Sequence, residues 1–170
     1  MLTLALGGAG SGKSAFAEAL LLRSAATTRV YLATMEPFGA EAAARVAKHR
    51  EMRENKGFVT VERFTDLEHL QLPDDCAVLL EDLGNLCANE LFSPSGGGED
   101  ALRRGLAHLA RESRDLIVVS NEVFLGGADY AGDTLRYLSV LARLHRRLAS
   151  EADAVCEVSC GIPIYYKGEA

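Results

Sequence analysis

Gly7-Gly8-Ala9-Gly10-Ser11-Gly12-Lys13-Ser14 is the stretch that decides the fold. It matches G-x-x-x-x-G-K-[ST] at Gly7, Gly12, Lys13 and Ser14, the pattern of a phosphate-binding P-loop. Its flanks carry as much weight as the pattern. Leu2 to Leu6 before it reads as a short buried strand, and Ser14 to Ser24 after it, rich in Ala, Leu and Glu, reads as a helix. Glycines let successive N–H groups turn inward around a phosphate with no Cβ in the way. Lys13 can then reach the β- and γ-phosphate oxygens of a nucleoside triphosphate, and Ser14 can place its hydroxyl on Mg²⁺.

Outward from the loop, strands and helices alternate. Arg29 to Ala33 and Phe58 to Glu62 read as strands, with a helix predicted between them over Ala40 to Glu54. Cys76 to Leu80 is a continuous apolar run, which suits a parallel strand buried on both faces. Ser93-Pro94-Ser95-Gly96-Gly97-Gly98 is expected to be a flexible surface loop. Beyond it come a helix over Asp100 to Ser113, a strand over Asp115 to Ser120 and a long helix over Leu135 to Ala152. Ala154 to Cys160 and Ile164 to Lys167 form a closing pair of strands around a Gly161-Ile162-Pro163 turn. The expected fold is α/β: a mostly parallel sheet flanked by helices, with a C-terminal hairpin. The 170 residues fit one catalytic domain over 1–170.

A P-loop enzyme also needs a carboxylate at a neighbouring strand end to hold Mg²⁺ directly or through water. The run Ala77-Val78-Leu79-Leu80-Glu81-Asp82 offers two. Strand alternation sends them to opposite sides, so one should face the metal. Glu81 is favoured and Asp82 is the fallback. The alternative is that both acids simply cap the helix that follows.

The net charge of −6 argues against a nucleic-acid or anionic-membrane binder, but not against a small anionic ligand held by backbone amides. No apolar run is long enough to span a bilayer. Met1 to Leu6 is followed directly by glycines and Lys13, so no signal peptide is expected and the cytoplasm is the expected location. Cys76, Cys87, Cys156 and Cys160 form no C-x-x-C pair and are expected to be buried free thiols.

Arg45, His49 and Arg53 are spaced i, i+4, i+8 and line one face of the predicted second helix, with Lys48 and Arg50 beside the histidine. Such a face offers cations to a polyphosphate and can keep the imidazole neutral and nucleophilic. A solvated basic face has the same spacing. His69, His108 and His145 are expected to be surface residues of helices.

In these blocks the chain resembles the bifunctional adenosylcobinamide kinase / adenosylcobinamide-phosphate guanylyltransferase family of cobalamin biosynthesis. The resemblance lies in the P-loop; Tyr31-Leu32-Ala33-Thr34; Glu41 with Arg45-Val46, His49 and Arg53; Leu79 to Leu83 with Asn89; Val118 to Val123; Leu148-Ala149 with Ala152-Asp153; and Gly161-Ile162-Pro163. After Val123, the family's usual Gly-x-Gly-x-x-Pro segment is replaced by Phe124 to Tyr130, which has no proline. The family's tryptophan near the third strand is replaced around Phe58.

The resemblance implies a RecA-like sheet and two reactions. A nucleoside triphosphate, ATP or GTP, phosphorylates the hydroxyl of the aminopropanol arm of adenosylcobinamide. GMP from GTP is then carried on a histidine to that phosphate, giving adenosyl-GDP-cobinamide. His49, Lys13 and Glu81 are the implied catalytic residues. The expected nucleotide site comprises Gly7, Gly8, Ala9, Gly10, Ser11, Gly12, Lys13, Ser14, Thr34, Arg45, Arg53, Glu62 and Glu81, with Ser14 and Glu81 on Mg²⁺. The corrinoid and the nucleotide are the expected partners, and a homo-oligomer is the expected state. Two alternatives stay open: a P-loop kinase lacking guanylyl transfer, and a non-catalytic nucleotide-binding regulator.

Overall fold

The computed structural model describes residues 1–36, 56–124, 126 and 129–169. The predicted helix over Ala40 to Glu54, and with it Arg45, His49 and Arg53, lies outside the described residues. Seven strands form one sheet: β1 (Leu2–Gly7), β2 (Thr28–Ala33), β3 (Phe58–Glu62), β4 (Cys76–Glu81), β5 (Asp115–Asn121), β6 (Ala154–Ser159) and β7 (Ile162–Lys167). Their order across the sheet is β3-β2-β4-β5-β1-β6-β7. Every neighbouring pair is parallel except β6 with β7. The described α-helices are α1 (Lys13–Leu22), α2 (Leu83–Phe92), α3 (Gly98–Glu112) and α4 (Gly132–Glu151).

The apolar run of β4 is buried on both faces because helices cover both sides of the sheet. Val78 and Leu80 join Leu83 and Leu86 of α2, Leu102 and Leu109 of α3 and Leu141 and Leu144 of α4 in one core. Ala77 and Leu79, pointing the other way, join Ala17, Leu20 and Leu21 of α1 with Ile117 and Val119 of β5. Each fully buried leucine contributes about 2–3 kcal/mol relative to leaving it exposed. The packed sheet thereby carries the loops at its carboxyl edge.

Three features depart from or extend the sequence reading. The closing hairpin turns at Cys160-Gly161, one residue earlier than expected, and Ile162 and Pro163 belong to β7. Proline is tolerated there because β7 is an edge strand. The helix after Asp82 extends over Leu83–Phe92. Its start is set by the Asp82 side chain, which accepts a hydrogen bond from the Asn85 N–H at 2.7 Å. The Ser/Gly stretch that follows is tied down rather than loose. The buried Glu90 carboxylate accepts from Gly97 N at 2.6 Å and from Asp66 N at 2.7 Å. Among the described residues, no helix is long and apolar enough to cross a membrane.

Candidate functional site

The site stands at the carboxyl edge of β1 and β4, with β5 between them. β1 ends at Gly7, the chain turns through the glycines, and α1 begins at Lys13 with Gly12 as its cap residue. Gly12 has φ +90°, and a Cβ on it would lie 2.9 Å from the Gly161 Cα, so only glycine fits. Inside the loop, Ser11 N donates to Gly8 O at 3.2 Å, and Phe16 N donates to Gly12 O at 3.0 Å. The four N-terminal amides of α1 have no partner within the helix and attract anions. Gly8, Ala9 and Gly10 are exposed, whereas Lys13 is buried and its Nζ donates to Gly8 O at 3.2 Å. The ammonium is thus folded back over the loop.

β4 brings its terminal carboxylate to the start of α1. Ser14 Oγ donates to Glu81 Oε1 at 2.6 Å, while Glu81 Oε2 is buried without a hydrogen-bond partner. Burial pushes the Glu81 pKa up to about 7, against the opposing pull of the Ser14 hydroxyl and the Lys13 charge. An acid with one bare oxygen beside a serine hydroxyl is a suitable donor pair for a hard cation, whose remaining ligands in nucleotide sites are phosphate oxygens and water. The described residues hold no cluster of three or more His, Cys, Asp or Glu side chains arranged for a metal. A P-loop metal needs no such cluster.

Asp82 is used differently. Its Oδ1 accepts from Asn85 N, and its Oδ2 accepts from Asn85 Nδ2 at 3.2 Å and from Asn121 Nδ2 at 3.1 Å. Burial raises its pKa too, with the Asn85 amide and the Lys13 charge pulling the other way. Its oxygens are therefore committed to capping α2 and to the end of β5, and Glu81 keeps the open valence.

The remaining expected residues fall into three groups. Thr34 is buried, its Oγ1 donates to Asp82 O at 2.8 Å and its N donates to Glu81 O at 3.1 Å, so it locks the end of β2 to the acidic turn. Glu62 is exposed at the end of the edge strand β3, with β2, β4 and β5 between it and β1. His49, Arg45 and Arg53 lie outside the described residues.

Three side chains do work that the sequence reading did not assign. Asn121 braces Asp82. Asn89 Nδ2 donates to Thr34 O at 2.8 Å and Phe64 O at 3.1 Å, holding the loops after β2 and β3. His145 is not a surface residue. It is half-buried on α4, its Nε2 is 2.8 Å from the buried Ser120 Oγ, its ring meets Phe124 edge-on, and burial lowers its pKa. Cys160, expected to be buried, is instead exposed at the hairpin tip, while Cys76, Cys87 and Cys156 are buried free thiols as expected. The sequence held one usable signal for His145. It sits four residues after Leu141 and three before Leu148, on the buried stripe of α4.

The family described as cobinamide kinase / cobinamide phosphate guanyltransferase matches residues 3–166. The chain is 30% identical to the bifunctional adenosylcobalamin biosynthesis protein CobU of Salmonella typhimurium, over 98% of its own length and 100% of the relative's. It is 31% identical to the bifunctional adenosylcobalamin biosynthesis protein CobP of Pseudomonas aeruginosa, over 99% of each. A solved structure from Pyrococcus horikoshii superposes with a TM-score of 0.51 at 10% identity, covering 99% of this chain and 87% of that one, a likeness of fold alone.

Proposed function

We propose, from the premise that the chain belongs to the cobinamide kinase / cobinamide phosphate guanyltransferase family, that one nucleotide site built on the P-loop serves both of that family's reactions. The chain is an enzyme of cobalamin biosynthesis with kinase and guanylyltransferase activity. The observation that carries the assignment of residues is the Ser14–Glu81 contact of 2.6 Å, beside the buried Lys13 and with Glu81 Oε2 unpartnered. Ser14 and Glu81 would hold Mg²⁺, which supplies charge neutralisation to the phosphates when bound.

In the kinase step, the arm hydroxyl of adenosylcobinamide attacks the γ-phosphorus of the nucleoside triphosphate. The bond from that phosphorus to the β–γ bridging oxygen breaks, the hydroxyl proton passes to solvent, and the nucleoside diphosphate leaves. Lys13 and the amides of Gly10 to Ser14 hold the phosphates and stabilise the charge that develops on the leaving group. In the guanylyl step, a neutral His49 nitrogen attacks the α-phosphorus of GTP and pyrophosphate leaves, held by the same lysine and amides. Arg45 and Arg53 orient the α-phosphate. The phosphate made in the first step then attacks the phosphoramidate, forming the pyrophosphate linkage of adenosyl-GDP-cobinamide and returning the imidazole.

Incubation with GTP labelled at the α-phosphorus, followed by denaturation, tests the carrier. The wild-type protein should retain an acid-labile, base-stable label, and His49→Ala should lose it while keeping part of its kinase activity. Full labelling of His49→Ala would remove His49 from the mechanism, and label lost only in Lys48→Ala would move the carrier to the lysine.

A further inference from the structure

The P-loop is braced from the far end of the chain. β6 lies parallel to β1, with Leu6 opposite Glu157, so β6 ends beside the point where the P-loop begins. The chain reverses there in two residues, Cys160 at φ +52° and Gly161 at φ +79°, between the paired Ser159 and Ile162. Two successive left-handed residues make the tight hairpin turn whose twist suits adjoining strands. Cysteine is a poor residue for the first of these positions, where Asn, Asp or Gly is usual. This turn rests on the P-loop. Gly161 N donates to Ser11 O at 2.8 Å, and Gly161 Cα fills the space a Cβ on Gly12 would need.

The consequence follows from amide geometry. The Ser11 carbonyl and the Gly12 N–H belong to one planar trans peptide and point in opposite directions. A donor that fixes the Ser11 oxygen toward the hairpin therefore fixes the Gly12 N–H away from it. Gly12 caps α1, so its amide is among those with no partner in the helix, the ones that bind phosphate. We infer that the Cys160–Gly161 turn is a positioning element of the nucleotide site, in which the Gly161 N–H holds the Ser11 carbonyl and so aims the Gly12 amide at the bound phosphate. The inference rests on the P-loop reading of the site. It adds that phosphate affinity depends on a turn that contributes no side chain to the phosphates.

Two substitutions at Gly161 separate this role from hairpin stability. Asn tolerates a left-handed φ and keeps the N–H, whereas Val resists that conformation and displaces the amide. The readouts are the Kd for GTP with Mg²⁺, from displacement of a fluorescent analogue, and the melting temperature without nucleotide. Gly161→Val should weaken GTP binding about tenfold or more, the scale of one hydrogen bond to a charged group. Gly161→Asn should stay within about twofold of the wild type. A folded Gly161→Val with wild-type affinity, or Gly161→Asn as weak as Gly161→Val, overturns the inference.

If Gly161→Val does not fold, Cys160 provides the deciding measurement, because it is the exposed thiol of the four. A benzyl methanethiosulfonate places a bulky neutral group on the turn as a mixed disulfide, releasing methanesulfinate. GTP affinity should drop by about tenfold or more and return on reduction with dithiothreitol. Complete labelling with unchanged affinity overturns the inference. A wild-type protein that binds no GTP sinks the P-loop reading itself, whereas binding that ignores the turn sinks only the bracing role.

Discussion

Replacing Glu81 by glutamine should stabilise the nucleotide-free protein, and by an amount that depends on pH. Folding buries the carboxyl and raises its pKa from 4.5 to about 7. An acid raised in this way favours the folded state only while it is protonated. Its contribution is fully present below the unfolded value of 4.5 and is lost as pH rises through about 7. The linkage relation puts the loss at about 1 kcal/mol near pH 5 and at about 3 kcal/mol near pH 8. Glutamine keeps an acceptor for the Ser14 hydroxyl and cannot ionise, so Glu81→Gln escapes the loss. Urea unfolding of both proteins in a chelating buffer, at these two pH values, measures the difference directly. The advantage of the variant should widen by about 2 kcal/mol from the lower pH to the higher, other titrating groups cancelling in the comparison. A constant advantage, or none, would refute the buried, metal-ready carboxylate. With Mg²⁺ and GTP present the variant's advantage should shrink, because the wild type binds the metal and nucleotide more tightly.

The other consequences are simpler to read. If the one site serves both reactions as proposed, Lys13→Ala should lower both the kinase and the guanylyl-transfer rates by roughly a hundredfold or more; near-normal rates in either assay would separate the two sites. Glu81→Gln should raise the Mg²⁺ concentration needed for half-maximal kinase rate by about tenfold, whereas Asp82→Asn, which keeps an α2 cap, should leave it within about threefold. The opposite pattern in a magnesium titration would transfer the metal to Asp82.

The parts of the fold legible in the sequence were those with a local cause. β4 announced itself as an unbroken apolar run, and the P-loop as glycines between a strand and a helix. α2 was harder to delimit because Gly84, Asn85 and Asn89 are weak helix formers, and its stability comes from the Asp82 cap and from Leu83 and Leu86 in the core. Pro163 drew the hairpin turn one residue too late, since only the order of the sheet reveals that β7 is an edge where proline costs little.

The site divides in the same way. Lys13, Ser14 and the pair of acids were readable from motif and strand end. Glu81 was favoured over Asp82, but the physical cause of the difference was not legible, because it turns on Asn85 and Asn121 occupying the Asp82 oxygens. The Gly161 contact with Ser11 spans nearly the whole chain and leaves no trace in local spacing.

The most direct measurement is the product formed when the purified protein is given adenosylcobinamide, ATP, GTP and Mg²⁺, identified by mass spectrometry. Adenosyl-GDP-cobinamide should accumulate with release of pyrophosphate, and adenosylcobinamide phosphate should appear as its precursor. A reaction that halts at the phosphate would leave a kinase without guanylyl transfer. No corrinoid-dependent consumption of either nucleotide would contradict the enzyme altogether.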